Sequence, residues 1–411
     1  MDENDFEFRH LETQEDLEQY LELMRKIFGV ETGVDKLVRK LIDNYPAMTF
    51  KDFFVIKHQN RFVATINLIP VTWSVGDIPI KVAQMGNVAT LPEYRRQGLV
   101  RRLVTEYHRE VAKQGYDLSV LEGIPYFYRQ FGYEYAVPLL EETRVRLGQI
   151  PDYDSGYVVQ PFADGDLPRA MELLEISQRK FYVHTVRDKQ VWKIQHETHI
   201  ASDPEPFEAF TVEADGEMVA YFRMRENLND KELMVTEVTD VDQQCVQAML
   251  RFLKERGLKS RLETLVACVS YEEPFIHHVV AIGGTRRLPP YAWQVRITDF
   301  VRIFEKLKPL LEERLAESTY CHLTETLSFN FRRFTVKMSV ENGQITNIQK
   351  LETNERSPIG LNPTVFVKLL LGDRSREELE MTYPDVRIDI SHKHLLDILF
   401  PKKPSYMHSA Y

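Results

Sequence analysis

The chain opens with a short alternating run, an acidic turn and a helical stripe. In residues 6–28 (FEFRHLETQEDLEQYLELMRKIF), Leu17, Tyr20, Leu21 and Met24 fall on one side. Residues 157–181 (YVVQPFADGDLPRAMELLEISQRKF) repeat that order of strand, acidic turn and helix. Residues 53–70 and 207–225 alternate in the two-residue period of paired strands, which predicts two hairpins. Setting Val63-Ala64 on Val219-Ala220 gives an offset of 219 − 63 = 156, and setting Phe28 on Phe181 gives 181 − 28 = 153. Offsets this close predict a duplicated α/β unit.

The texture changes after Pro289-Pro290. Residues 299–315 read as an amphipathic helix that Pro309 is expected to interrupt or bend. Residues 327–340 alternate in two phases: Leu327, Phe329 and Phe331, then Phe334, Val336, Met338 and Val340. Arg332-Arg333 at the phase change reads as a β-bulge. Asn342-Gly343 marks a hairpin turn, and helical stretches follow near 364–371 and 394–399. The expected architecture is two tandem mixed-sheet α/β domains, residues 1–150 and 151–290, followed by an α+β domain over 291–411.

With 411 residues, 43% of them hydrophobic, the chain has material for several cores. Its formal charge is 52 − 62 = −10, which argues against nucleic-acid binding and suits a cationic substrate. Cys245, Cys268 and Cys321 are too widely spaced for a disulfide framework or a zinc ribbon. His196 and His199 have helical metal spacing but no evident third ligand, so no metal is expected. No apolar run approaches the ~18 residues of a membrane span. The acidic start lacks the pattern of a signal peptide. A cytoplasmic location without membrane attachment is the expectation.

The chemistry concentrates in residues 81–113 (KVAQMGNVATLPEYRRQGLVRRLVTEYHREVAK). An apolar strand ends near Val88-Ala89-Thr90, a loop carries Arg95-Arg96-Gln97-Gly98, and a helix follows with Leu99, Leu103, Tyr107 and Val111 spaced by four. The first N–H groups of a helix have no intrahelical acceptor and carry partial positive charge, so they bind anions. Gly98 lets backbone approach a bulky phosphate. Arg95, Arg96, Arg101 and Arg102 reverse the local sign of an acidic chain, pointing to a polyanionic ligand.

This segment resembles the acetyl-CoA-binding segment of the GCN5-related N-acetyltransferases (GNAT superfamily), whose loop reads Q/R-x-x-G-x-G/A. Here it is Arg95-x-x-Gly98-x-Val100, with Val100 in place of the last small residue. An apolar residue there is similar to the enhanced-intracellular-survival (Eis) subgroup. That subgroup has two acetyltransferase domains, the second inactive, and a sterol-carrier-protein-like C-terminal domain. The resemblance implies acetyl-CoA as co-substrate. It implies that strand backbone at Val88, Ala89 and Thr90 binds pantetheine and the acetyl carbonyl. The loop N–H groups of Arg96, Gln97, Gly98, Leu99, Val100 and Arg101 would hold the pyrophosphate. Leu121 and Glu122, at the end of the next strand, complete the expected cofactor set.

Tyr128-Arg129-Gln130-Phe131-Gly132-Tyr133 resembles the family's Y-x-x-F-G-Y segment, which makes Tyr128 the proton donor to the departing CoA thiolate. An alkylammonium has pKa ~10.4 in water, so the attacking amine needs a proton acceptor. In the Eis subgroup the C-terminal carboxylate serves, which here implies Tyr411; Glu122 and Glu31 are alternative carboxylates. The counterpart loop in the second repeat, residues 234–257, has no glycine at the helix start and carries Asp240 and Asp242, which would repel a pyrophosphate. That domain is expected to be structural. The resemblance further implies a homohexamer. The acceptor is a small-molecule or peptide amine, with polycationic amines such as aminoglycosides favoured. The rival expectation is a non-catalytic acetyl-CoA- or lipid-binding protein that uses its C-terminal domain.

Overall fold

Residues 53–56 and 62–69 are buried on both faces of their strands, because helices cover the sheet from both sides. Phe53 meets Tyr20 on one face, and its neighbour Phe54 meets Tyr107 on the other. The computed structural model describes residues 6–139, 141–287 and 292–411. Pro289-Pro290, where the texture changes, lies outside the described residues.

The first stretch runs β1 (Glu7–His10), α1 (Gln14–Phe28), α2 (Val34–Asn44), β2 (Phe53–His58), β3 (Arg61–Val75), β4 (Ile78–Thr90), α3 (Leu99–Lys113), β5 (Leu118–Leu121) and β6 (Glu134–Pro138). Thr13 starts α1 with a reciprocal capping box to Asp16. The second stretch continues with β7 (Glu142–Arg146), β8 (Val158–Pro161), α4 (Leu167–Gln178), β9 (Val183–Val186), α5 (Lys189–Thr198), β10 (Glu208–Ala214), β11 (Glu217–Asn227) and β12 (Glu232–Val238). It ends with α6 (Gln243–Lys259), β13 (Thr264–Ala267), α7 (Pro274–Ala281) and β14 (Thr285–Arg287). The third comprises β15 (Ala292–Ile297), α8 (Phe300–Ala316), β16 (Glu325–Asn330), β17 (Thr335–Glu341), β18 (Gln344–Leu351), β19 (Ile359–Gly360), α9 (Pro363–Leu370), α10 (Arg376–Thr382), β20 (Arg387–Ile388), α11 (Ile390–Leu399) and β21 (Ser405–Tyr406).

Three mixed sheets result. The first has the order β1-β2-β3-β4-β5-β15-β6, with β9 added beside the far half of β3 and β21 beside β9. The second is β14-β7-β13-β12-β11-β10-β8, and the third β18-β17-β16-β19-β20. Strands cross the linear boundaries expected at 150 and 290. β7 pairs with β13 in the second sheet, whereas β15 inserts between β5 and β6 in the first. Cuts at those positions would expose backbone donors and acceptors that these exchanges satisfy.

Two local expectations are corrected. α8 runs unbroken through Pro309, its apolar side (Ile303, Phe304, Leu307, Leu311, Leu315) held against the core. Packing outweighs the single backbone bond a proline removes. Arg332-Arg333 is not a bulge but the turn of the β16–β17 hairpin. Arg332 sits at φ +71° and Phe331 donates its N–H to the Phe334 carbonyl. The third unit's phenylalanines pack ring on ring: Phe366 touches Phe300, Phe304, Phe329, Phe331 and Phe400. Among the described residues, no helix is long and apolar enough to cross a membrane.

Candidate acyl-transfer site

The central cleft follows from strand register. Thr65 pairs with Ala89 and Asn67 with Gly86, so two steps on β3 face three on β4. The extra residue is a bulge at Asn87-Val88, with Asn87 at φ +49°. On its other side β4 runs parallel to β5 from Val82↔Leu118 to Gln84↔Val120, where the pairing stops. Beyond that point the two strands part, leaving the bulged backbone of Val88–Thr90 facing an opening.

Helix α3 closes one end of it. Gly98 is its N-cap at φ +77°, and a Cβ there would meet nothing within 4 Å. The glycine is therefore demanded by backbone conformation and not by lack of room. No acidic residue occupies the first turn. The first helical bond is Arg102 N–H to the Gly98 carbonyl, so the N–H groups of Leu99, Val100 and Arg101 precede the ladder. Tyr128 comes from a 3-10 turn over Phe127–Phe131 and is nearly buried, edge-on to Phe127 and Tyr133.

A cleft of about 600 Å³ unites these parts. It is lined by Val88, Ala89, Thr90, Arg95, Arg96, Gly98, Leu99, Val100, Arg101 and Tyr128, together with Ile27, Phe28 and Phe131. Gln97, Leu121 and Glu122, though expected there, are not part of that lining. Gln97 is exposed and turns to the Glu93 carbonyl (3.5 Å). Arg102 is also turned away, donating to the Phe6 carbonyl (2.9 Å). Arg101 is steadied by Gln130 (2.8 Å). Tyr126 is exposed, at φ +65°, so it is not a core residue.

Tyr411 is not part of that lining and stands beside Gln84 of β4. Its ring is buried, its hydroxyl accepts from Gln84 Nε2 (3.0 Å), and Tyr45 stands 6.2 Å away. Residues 404–411 thread between the first two sheets. Tyr182 N–H donates to the Pro404 carbonyl and β21 pairs with β9. The Tyr406 hydroxyl donates to the Cys268 carbonyl (3.0 Å), and Thr185 Oγ1 donates to that of His408 (2.7 Å). Gln195 Nε2 donates to Tyr411 O (3.1 Å), and Ala410 N–H donates to Ser202 Oγ (2.9 Å).

Glu122 lies near Tyr411. Its side chain is open to water but stands in a hollow crowded by protein. Desolvation, with Asp203 second, pushes its carboxyl up to about 7. Glu122 in turn helps burial raise the Tyr411 phenol, so the two groups are electrostatic neighbours. Lys40, also buried nearby, is pulled down to about 8 by burial and by Arg223, and donates to the Ile200 carbonyl (2.9 Å).

Sequence reasoning missed Gln84, Gln195, Ser202 and Asp203. The available signal was a polar amide inside an apolar pattern: Gln84 within buried β4, and Gln195 beside Val191 and Ile194 on the buried stripe of α5. His196 is stacked between Phe162 (4.1 Å) and Trp192 (5.9 Å), and burial pushes its imidazole down to about 3.

A splayed parallel strand pair with a bulge, a glycine-capped helix start and a tyrosine share this one cleft. The profile of the acetyltransferase (GNAT) domain family matches residues 7–136. Residues 7–136 thus carry an acetyltransferase (GNAT) domain, and the chain is similar to N-acetyltransferases of the Eis kind. The N-acetyltransferases Eis of Mycobacterium tuberculosis and Mycobacterium bovis are 38% identical to it over 72 residues, 16% of this chain and 17% of theirs. The match thus spans under a fifth of the length of those relatives. A GCN5-related N-acetyltransferase from Anabaena variabilis superposes with TM-score 0.75 at 16% identity, over 99% of this chain and all of that one. Eis1 from Mycobacterium abscessus does so with TM-score 0.65 at 13% identity, over 99% of this chain and 100% of its own. At such identities the structural likeness speaks for the fold.

Proposed function

We propose that the chain is an acetyl-CoA-dependent N-acetyltransferase acting on a primary amine by direct attack in a ternary complex. The observation that carries this reading is the single cleft shared by the β4 bulge, the Gly98 helix start and Tyr128. Residues there fit acetyl-CoA: three free helix N–H groups and exposed arginines suit a pyrophosphate, and the bulged strand offers unpaired backbone to pantetheine. Acetyl-CoA supplies the acyl group as a thioester. Val88–Thr90 would hold pantetheine and the acetyl carbonyl, and the loop from Arg96 to Arg101 the phosphates. The Tyr128 hydroxyl would stabilise the leaving thiolate by donating to it.

The acceptor would enter from the side of Tyr411, Glu122 and Asp203. These acids favour a cation, which supports a polycationic amine such as an aminoglycoside or a polyamine. With Tyr411 as its terminus the chain would present an α-carboxylate there, as proton acceptor through water. Within the three units read from the sequence, the first is catalytic and the second is a degenerate copy of it. The third is a sterol-carrier-like support. The test is CoA release, followed with a thiol dye, across aminoglycosides, polyamines and lysine peptides. Release with one class establishes transfer and its acceptor; none, with acetyl-CoA binding confirmed, refutes transfer to these amines.

A further inference from the structure

We propose that Gln195 is a positioning residue: it couples a buried Arg187–Glu237–Arg223 cluster to the chain tail Ser409–Tyr411 in the acceptor side of the site. The inference rests on the reading that this tail takes part in the reaction.

Gln195 is wholly buried on α5. Its carbonyl oxygen accepts from Arg187 Nη1 (2.9 Å) and from Arg223 Nη2 (2.9 Å). A guanidinium can only donate, so Oε1 must face the arginines and Nε2 must face away. The chemistry, not the fit of one rotamer, decides which way the amide points. Facing away, Nε2 reaches Tyr411 O at 3.1 Å and Ser409 O at 3.4 Å.

The two arginines are themselves immobilised. Glu237 Oε1 lies 3.0 Å from Arg187 and 3.3 Å from Arg223, and all three side chains are at most 3% exposed. Arg187 lies over the Trp192 ring (4.0 Å) and Arg223 over that of Phe207 (4.2 Å). Two guanidiniums against one carboxylate leave an excess positive charge in the interior, and such a charge needs further electron-rich partners. Gln195 Oε1 supplies one to both arginines at once. The polarised amide then donates more strongly on its other side, to the tail. No other side chain touches both the cluster and the tail oxygens of Ser409 and Tyr411 among the described hydrogen bonds.

The test uses the full chain and two variants. Gln195→Glu keeps oxygens for both arginines but replaces the donor facing the tail with an oxygen. Gln195→Met removes donor and acceptor at similar volume, and serves if the charged variant does not fold. The first readout is hydrogen exchange of the Ala410 and Tyr411 amides. Both variants should exchange them about tenfold faster than wild type, the equivalent of one lost hydrogen bond, with β4 amides unchanged. The second is kinetic: kcat should fall about tenfold while the KM for acetyl-CoA stays constant, a split that general loosening of the fold would not give. Wild-type tail exchange in both variants overturns the coupling. A loosened tail with full kcat overturns the positioning role. Should wild type transfer to no amine, the reading of the site fails, and the exchange readout still judges Gln195 by itself.

Discussion

Helix α3 of the first sheet and helix α6 of the second begin at equivalent places and are finished differently. Each follows a hairpin and a central strand, and each leads to a parallel partner, β4 to β5 and β12 to β13. Both central strands carry a register shift against the preceding strand, between Thr65 and Asn67 in one sheet and between Arg223 and Met224 in the other. At the head of α3 stands Gly98, and the first N–H groups remain available. At the head of α6, the Asp242 side chain accepts from Cys245 N–H (2.8 Å) and satisfies the helix itself. With the offset of 156, Asn67 corresponds to Arg223, 67 + 156 = 223. Asn67 pairs across the ladder with Gly86, and Arg223 with Glu237, its partner in a buried ion pair. One backbone plan thus serves twice. In the first sheet the helix N–H groups are left uncapped; in the second the Asp242 side chain caps them. Binding sites give up local stability in this way.

Under the proposed function all transfer chemistry lies in the first sheet. Tyr128→Phe should therefore lower kcat about a thousandfold, the range of general acid catalysis, with acetyl-CoA affinity unchanged by calorimetry. A variant that keeps turnover would break the assignment. In the second sheet the expected loss is of stability. Glu237→Gln leaves two buried guanidiniums without their counter-charge and should cost about 3–5 kcal/mol in urea unfolding. The pH dependence has a definite sign. Burial alone would raise the Glu237 carboxyl, but Arg187 and Arg223 outweigh it and hold the group at about 2, below its usual 4.5. Its stabilisation is present above about 4.5 and is lost as pH falls toward 2. The Gln variant should lack that part of the acid transition.

The comparison can be forced from the other side. Gly98→Asp puts into the first sheet what the second has, a carboxylate at the helix start, at a backbone conformation that disfavours a side chain. Acetyl-CoA affinity should fall about a hundredfold. Retained affinity would mean that the arginines, not the helix N–H groups, hold the phosphates.

How much of this was legible differs by the range of the interactions involved. The helical stripe of Leu99, Leu103, Tyr107 and Val111 is buried as its spacing predicts, and the strand read over Leu118–Leu121 is β5. These are local patterns, fixed by period alone. Arg102 was misjudged because a sequence shows charge and not direction; its side chain caps the Phe6 carbonyl. The exchange of β7 and β15 between sheets, and the two-residue pairing of β21 with β9, leave no periodic trace. They join segments more than 100 residues apart through backbone bonds that any sequence can make. Gln195 carried a trace, a polar residue on an apolar stripe, but its partners are contributed by three other segments.

The smallest effect is the sharpest on the comparison. Asp242→Ala removes the α6 cap and should cost about 1 kcal/mol of stability. If that carboxylate alone barred phosphate from the second sheet, its loss would open a second acetyl-CoA site. No second site is expected, because Arg223 and Glu237 also fill the second sheet's counterpart of the Asn67–Gly86 position, and deleting Asp242 leaves them in place. Calorimetry of the variant should still give one acetyl-CoA per chain. Two would show that the halves differ by a single side chain rather than by how the whole junction is packed.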